Sequence, residues 1–480
     1  MAREVQYQVV LSSGLVVMLS VLVTFGLIKW RRKRREVQTI TLQYHLTRKQ
    51  LEAPATSNST MDNAMMKVDD FRFRRRSAFF KRIFPRKLHN VDYYHIAGTN
   101  GKGSVCELLR CCLVANGHLV GTFTSPHIHT IRERIRIGGD IISMDDFVRH
   151  AATLQCDFQN NLWLLPFDKL LAIALLHFAE AGADTIILEV GIGGKYDSTN
   201  FIERPPTASI ITSISYDHQS LLGNSLEEIA EQKAGIIKPS SVVFTCTSQT
   251  DTSMQVLKEV ADRNNSDLVL VRAEDKHPYL NITAGNRPSW VLADNIRLVE
   301  AVAAHLGLDM KGLQQASWPC RFEVFEVGLQ RTPLVIDGAH NEGSMSKLME
   351  QLNERFPHRG VHIVFGAAAD KNVEAMLKIA HVASVSLFLV CAPHPRAMYT
   401  HELHKILEPE GIKHTHTTKL DNLPVERGLE LALQTCAKGD IVLVCGSFLV
   451  ASRARQWLAN EQPSLFSRND WVHESDVPFT

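Results

Sequence analysis

The stretch HIAGTNGKGS, residues 95–104, stands between a strand-like run, VDYYHIA (91–97), and a helix-like run, SVCELLRCCLVA (104–115). A strand, a glycine-rich turn and a helix in that order aim backbone N–H groups and a helix N-terminus at one point, which suits a phosphate. The stretch departs from the strict phosphate-loop pattern G-x-x-x-x-G-K-[ST]. Ile96 stands six residues before Lys102, where that pattern has glycine. Gly103 follows the lysine, so the hydroxyl arrives one place late, at Ser104. On the loop alone two readings stay open: a nucleotide site, with Lys102 on the outer phosphates and Ser104 on magnesium, or a glycine-rich turn with a surface lysine.

Outward from this loop the chain alternates strand-like and helix-like runs. DKLLAIALLHFAEAG (168–182) is an amphipathic helix closed by Gly182, and DTIILEVGIGG (184–194) is a buried strand ending in glycines. TASIITSISYDH (207–218) is the next strand, and SLEEIAEQKAGIIKP (225–239) a helix whose Ser225 and Glu228 form a capping box. This alternation predicts an α/β fold with a mostly parallel sheet, whose ligands sit at the carboxyl ends of strands. Three strands end in polar clusters there: Gly98–Ser104, Glu189–Asn200 and Asp217–His218. WPCRFEVFEV (318–327) starts a second, smaller α/β unit, with strands in PLVIDGAH (333–340), VHIVFGAAAD (361–370), VSLFLVCAP (385–393) and DIVLVCGSF (440–448).

The length, 480 residues, allows roughly two or three domains. The net charge of +1 hides an asymmetry: residues 1–90 carry 18 of the 52 Lys and Arg but only 6 of the 51 Asp and Glu. The body is therefore acidic and has no footprint for nucleic acid. The nine cysteines form no C-x-x-C pair, so unpaired thiols in a reduced compartment are expected. VVLSSGLVVMLSVLVTFGLI (9–28) is uncharged and long enough to cross a bilayer, and KWRRKRR follows it. Residues 1–35 are read as a transmembrane anchor that leaves the body in the cytosol, or as an organelle-targeting (mitochondrial) segment. A later start at Met61 or Met65 would make the protein cytoplasmic. Residues 36–66, with EAPATSNSTMDN, read as a disordered tether.

Other polar residues at strand ends carry chemistry only in combination. Glu189 closes an apolar run, where a carboxylate is costly unless it is paired or bound to metal; its bland reading is a cap on nearby backbone. His218 follows another apolar strand and is more often structural; Lys233 lies on an amphipathic helix, where a lysine is usually solvated. Asp337 and His340 end a strand of the second unit, across a potential cleft.

Taken in order, HIAGTNGKGS, FTSPHIHTIRERIRI, LEVGIGGKYDSTN, ITSISYDH, EEIAEQKAGIIKP, DGAHN, ADKN and PHPRA resemble the folylpolyglutamate synthase and dihydrofolate synthase family of the Mur ligase superfamily, over roughly residues 70–455. In that family the loop reads G-T-N-G-K-G-S, so the late serine is its normal variant. The resemblance implies a P-loop ATPase-like central domain (67–313) and a smaller Rossmann-like C-terminal ligase domain (318–475), with the N-terminal apolar helix outside them. It implies a monomeric ATP- and Mg2+-dependent amide ligase. A folate or pteroate carboxylate is phosphorylated, and L-glutamate attacks the acyl phosphate.

By the same resemblance Gly98, Thr99, Asn100, Gly101, Lys102, Gly103 and Ser104 cradle ATP, with Asn295 at the adenine and Arg321 and Asp337 reaching the nucleotide from the second domain. Ser104, Glu189 and His218 hold metal. Lys233 matches a lysine that is carbamylated in the family. Lys102, Lys233 and His340 are the expected catalytic residues. Ser125, Pro126, His127 and Arg134 flank the folate, and Ser447 lies near the incoming glutamate. PCR (319–321) departs from the family's frequent P-G-R. Polyglutamylation of tetrahydrofolates is the leading expectation, favoured by RERIRI; dihydrofolate synthesis, or both activities, is the alternative. A membrane-tethered nucleotide-binding scaffold without catalysis is the contrary class, and the presence of Glu189, His218 and Lys233 speaks against it.

Overall fold

The computed structural model describes residues 38–52, 70–272, 293–407, 422–468 and 470–475. Among them two mostly parallel sheets form. The first contains β1 (Asp92–Ala97), β2 (Val120–Phe123), β3 (Ile135–Ile137), β4 (Asp140–Ile141), β5 (Thr185–Glu189), β6 (Ala208–Ile211), β7 (Val242–Cys246) and β8 (Asp267–Val271). Their spatial order is β4-β3-β2-β5-β1-β6-β7-β8, antiparallel only at the β2–β3 and β3–β4 edge. The second contains β9 (Glu323–Val327), β10 (Thr332–Ile336), β11 (Val361–Phe365), β12 (Ser386–Leu389) and β13 (Ile441–Cys445), in the order β12-β11-β13-β10-β9, with β9 antiparallel.

Successive strand residues point to opposite faces, and here both faces are covered, so the strands are apolar without a break. Tyr93, Ile186 and Leu188 enter one core, while Tyr94, Ile96 and Ile187 enter the other. In the second sheet Leu334, Ile336, Val442 and Val444 face one layer, and Val335, Ile363, Leu443 and Cys445 the other.

The helices that matter for the site are α1 (residues 38–52), α2 (Asp70–Ile83), α3 (Lys102–Ala115), α4 (Pro166–Ala181), α5 (Leu226–Ala234), α6 (Ala293–Leu306), α7 (Glu342–Arg355) and α8 (Phe448–Glu461). Gly182 closes α4 in the left-handed region at φ 76°. The capping box of α5 is present, with Ser225 Oγ accepting from Glu228 N at 3.1 Å and Glu228 Oε2 from Ser225 N at 3.1 Å. α3 is buried from Ser104 to Leu113, because α6 packs on it from outside the sheet.

Residues 38–52 correct the disordered tether expected over 36–66. They form α1, whose Ile40, Tyr44 and Leu51 fall on one face at helical spacing, and the low-complexity run that suggested disorder begins only beyond it. Tyr44 is fully buried and meets Phe147 edge to face at 5.5 Å. Its hydroxyl lies 3.2 Å from Thr130 Oγ1, and the Arg132 guanidinium covers its ring at 5.5 Å. Residues 53–66 and the apolar span 9–28 lie outside the described residues. Among the described residues no helix is long and apolar enough to cross a membrane.

Tyr44→Ala should therefore lower folding stability by about 3 kcal/mol, as removal of a buried aromatic ring does. Urea unfolding at neutral pH checks this. A midpoint equal to that of the parent would show that α1 does not hold to the body.

Candidate active site

β1 is the central strand, flanked by β5 and β6, so Gly98–Ser104, Glu189 and the segment after β6 emerge side by side. Gly98 has φ 142°, and a Cβ there would collide with Thr212 Oγ1. Gly101 caps α3 at φ 92°, and a Cβ would meet the Asn295 amide at 2.5 Å. Only glycine suits either place. The loop is stitched to the strand beside it: Thr99 N donates to Ser213 O (2.8 Å), and Thr99 Oγ1 donates to Ser215 O and accepts from Ser215 N, both at 3.0 Å.

Two amines converge on one carbonyl. Lys102 Nζ donates to Gly98 O and Thr99 O, each at 3.1 Å, and Lys233 Nζ donates to Gly98 O at 2.8 Å. Lys233 is buried on α5, and burial together with the Lys102 charge pushes its ammonium down to about 7. Among the described residues its only hydrogen-bond partner is that carbonyl. Glu189, at the end of β5, is 2% exposed. Burial raises its carboxyl, against the pull of Lys102, the Ser125 N–H, Arg321 and Arg134. Its Oε2 accepts from Ser125 N at 2.8 Å, and its Oε1 faces the first turn of α3.

His218 follows β6 with its backbone in the left-handed region (φ 50°). Burial brings its imidazole down to about 4, so it is neutral at pH 7. Beside it Asp217 takes Lys371 Nζ at 2.6 Å and Asn341 Nδ2 at 3.2 Å, both from the second sheet's side. Burial opposes the anion there, but His218 and Lys371 together hold the Asp217 carboxyl below its ordinary value. Asn100 and Asn341 exchange amide hydrogen bonds at 3.3 and 3.0 Å, tying the loop to the N-cap of α7. Lys371 and Asn341 lie in the ADKN and DGAHN stretches, more than a hundred residues from these partners, and no local pattern points to them.

From the second unit, Arg321 stacks on Phe448 at 4.7 Å, and its buried Nε has no hydrogen-bond partner among the described residues. Asp337 spends its oxygens on Phe322 N (2.8 Å) and Ala339 N (2.7 Å). His340 Nδ1 lies 2.9 Å from Gly338 O, which makes Nδ1 the donor, and burial lowers the ring to about 4. Ser447 is the N-cap of α8, accepting from Val450 N at 3.3 Å. Asn295 packs on Gly101, beside the loop.

The segment after β2 passes Ser125 and Pro126, which precede a hydrogen bond from Arg134 Nε to His127 Nδ1 at 3.0 Å. Arg134 is lowered to about 10 by burial, with Glu189 opposing, and it remains a cation at neutral pH. Among the described residues no three His, Cys, Asp or Glu converge as a metal cluster. Glu189, at the end of β5, and His218, after β6, nonetheless offer a carboxyl oxygen and a neutral nitrogen on either side of β1. That open set suits a divalent ion completed by phosphate oxygens and water.

The Mur ligase middle domain matches residues 165–297, and the Mur ligase glutamate ligase domain matches residues 320–448. A dihydrofolate synthase/folylpolyglutamate synthase of Bacillus subtilis is 32% identical over 376 residues, which are 68% of this chain and 84% of that protein. The folylpolyglutamate synthase of Mycobacterium tuberculosis complexed with ADP superimposes with a TM-score of 0.70 at 26% identity, covering 82% of this chain and 96% of that one. The bifunctional folylpolyglutamate synthase/dihydrofolate synthase of Yersinia pestis, complexed with AMPPNP and an Mn ion, gives 0.69 at 26% identity over 81% and 93%. With a Mur-type ligase arrangement of its domains and relatives spanned over most of their length, the chain belongs to the folylpolyglutamate synthase/dihydrofolate synthase family.

Proposed function

We propose that the chain is an ATP-dependent amide ligase that adds L-glutamate to the γ-carboxylate of tetrahydrofolates. The observation that carries this reading is the meeting of Lys102, Lys233 and Glu189 at one glycine-rich strand-to-helix turn, in a chain of this family. A folate carboxylate oxygen attacks the γ-phosphorus and ADP leaves. The amine of glutamate then attacks the acyl carbon, and phosphate leaves.

Residues 98–104 cradle the triphosphate with their N–H groups, apart from that of Thr99, which donates to Ser213 O. Lys102, resting on the carbonyls of its own loop, turns to the outer phosphates and offsets the charge of the transferred group. Ser104, Glu189 and His218 would hold magnesium, which would neutralise phosphoryl oxygens. Arg321 supplies its unmet donor to the nucleotide, Asp337 fixes the turn that aims it, and Asn295 borders the loop on the nucleotide side. Ser125, Pro126, His127 and Arg134 flank the pteroate. His340, neutral with Nε2 as acceptor, and Ser447 at the start of α8 border the glutamate.

Lys233 is suited to carbamylation. Only a neutral amine attacks carbon dioxide; the N–C bond forms, a proton leaves, and the product is an anionic oxygen donor beside the metal. The name of the B. subtilis relative carries both activities, so addition of the first glutamate to dihydropteroate is the second reading.

Purified protein given ATP and glutamate, first with dihydropteroate and then with tetrahydrofolate, separates the two by product mass. A glutamylated tetrahydrofolate is expected; product from dihydropteroate alone would replace the first reading with the second. Lys102→Ala should lower turnover by at least about a hundredfold, the scale of one lost charge-stabilising donor. Near-parental turnover would refute the phosphate role. Lys233→Ala should be nearly inactive and partly recovered by added short carboxylates; activity that ignores them would argue against a carbamate.

Lys233 also predicts a pH dependence of stability. Between about pH 7 and its unfolded value the native state holds the amine neutral while the unfolded chain protonates it. Unfolding then takes up a proton, so stability rises with pH, by at most about 1.4 kcal/mol per pH unit. In carbonate-free buffer the parent should gain stability over Lys233→Met between pH 7 and 9. Parallel stability profiles would show an ordinary lysine.

A further inference from the structure

Arg136 is held in an unusual way. It stands on β3, is 1% exposed, and gives Nη1 to Glu107 Oε2 at 2.8 Å. Glu107 is shared with Arg110, whose Nε and Nη2 donate at 2.9 and 2.5 Å. Among the described residues the Nε and Nη2 of Arg136 have no hydrogen-bond partner. Two tryptophan rings lie against the guanidinium instead, Trp318 at 5.0 Å and Trp471 at 5.2 Å, and they meet each other edge to face at 5.8 Å. Burying a cation with donors unmet is costly, and aromatic faces offset only part of that cost.

The two rings come from outside the first sheet. Trp318 lies on the segment leading into β9, and Trp471 on the C-terminal turn after α8. Trp318 also reaches the first turn of α3: a Cβ on Gly103 would lie 3.3 Å from its Cζ2. Gly103 and Glu107 are four residues apart and share a helix face, so the ring and the ion pair grip the same side of α3. The seat of Trp471 is fixed in turn. Asp470 accepts two hydrogen bonds from Arg455 at 2.8 Å and one from Val472 N at 2.9 Å. Arg455 Nη1 meets His129 Nε2 at 3.1 Å, and Arg132 pairs with Glu474.

We propose that Trp471 and Arg136 are positioning residues that clamp Trp318 onto the first turn of α3. They couple docking of the C-terminal unit to the geometry of the phosphate loop. They act through α3 and not on the reacting atoms. The inference rests on the ATP reading above, and it makes residue 103 sensitive to added bulk: a Cβ there would sit tightly against the ring.

The test is made on the full chain, with AMPPNP affinity by calorimetry beside the KM for ATP and for glutamate. Trp471→Ala should weaken AMPPNP binding and raise KM for ATP by about five- to tenfold, the range carried by a packed coupling, with KM for glutamate unchanged. Trp471→Phe, which keeps an aromatic face, should restore most of it. A merely structural role would lower the melting temperature and leave the affinity of the folded molecules unaltered. Gly103→Ala alone should weaken binding, although alanine favours a helix over glycine. In the Trp471→Ala background the ring can retreat, and the same substitution should cost several-fold less; contacting residues are non-additive in this way. Should Trp471→Ala fail to fold, Trp471→Leu, which keeps apolar bulk, carries the same cycle. Unchanged AMPPNP affinity, or strictly additive effects, would overturn the clamp. A parent chain that binds no AMPPNP would sink the ATP reading itself, and the clamp with it.

Discussion

Two lysine amines donating to one carbonyl oxygen, that of Gly98, set the terms for the rest of the site. Burial disfavours an ammonium and a second cation nearby repels it, so the more buried of the two yields its proton more readily. Lys233 is that one, brought to about 7. Its position follows from the capping box that fixes where α5 begins and from Lys195 N, which donates to Gln232 O at 2.7 Å. The oxygen they share is exposed to both amines because Gly98 can adopt φ 142° with Thr212 pressed against its Cα. A turn that holds one cation, a second amine that titrates near neutrality and a row of N–H groups at the end of a central strand is arranged for a polyanion before one arrives.

Charge balance extends across the two sheets. Asp217 stands next to His218 but is neutralised by Lys371, which comes from the loop after β11. The imidazole therefore does not need a proton to balance its neighbour, and burial keeps it neutral, the state in which a histidine binds metal. The Asn100–Asn341 pair joins the phosphate loop to the start of α7 without charge. The second unit thus meets the loop by amide pairing and by the Trp318 ring, and the segment after β6 by an ion pair.

What could be read from the sequence was whatever local chemistry decides. The glycine turn at 98–104, the Ser225–Glu228 box and the Gly182 stop are short-range patterns, and apolar runs gave the strands that are buried on both faces. The β3–β4 edge was missed because strands of three and two residues have no period to read. α1 was missed because its four-residue apolar spacing is interrupted by exposed Leu42 and Leu46 and followed at once by a low-complexity run. The partners of Lys371 and Trp471 lie more than a hundred residues away, so only folding brings them together. Lys233 looked like a solvated helical lysine; its neutrality depends on burial, which a helical wheel does not supply.

The PCR turn shows how one departure from a family pattern is absorbed. Cys320 stands where glycine is frequent, and its φ is 56°, a left-handed value that costs a side chain about 1 kcal/mol or more. Such a conformation persists only where its surroundings determine it. Cys320 N donates to Glu323 Oε2 at 2.7 Å, and its carbonyl accepts from Gly338 N at 2.8 Å. The next left-handed residue, Phe322 at φ 43°, gives its N–H to Asp337. With both oxygens taken by backbone N–H groups, Asp337 holds this turn and thereby the direction of Arg321, whose guanidinium lies over Phe448. The buried Asp337 carboxyl is thus accounted for, among the described residues, by the two N–H groups of the turn it holds.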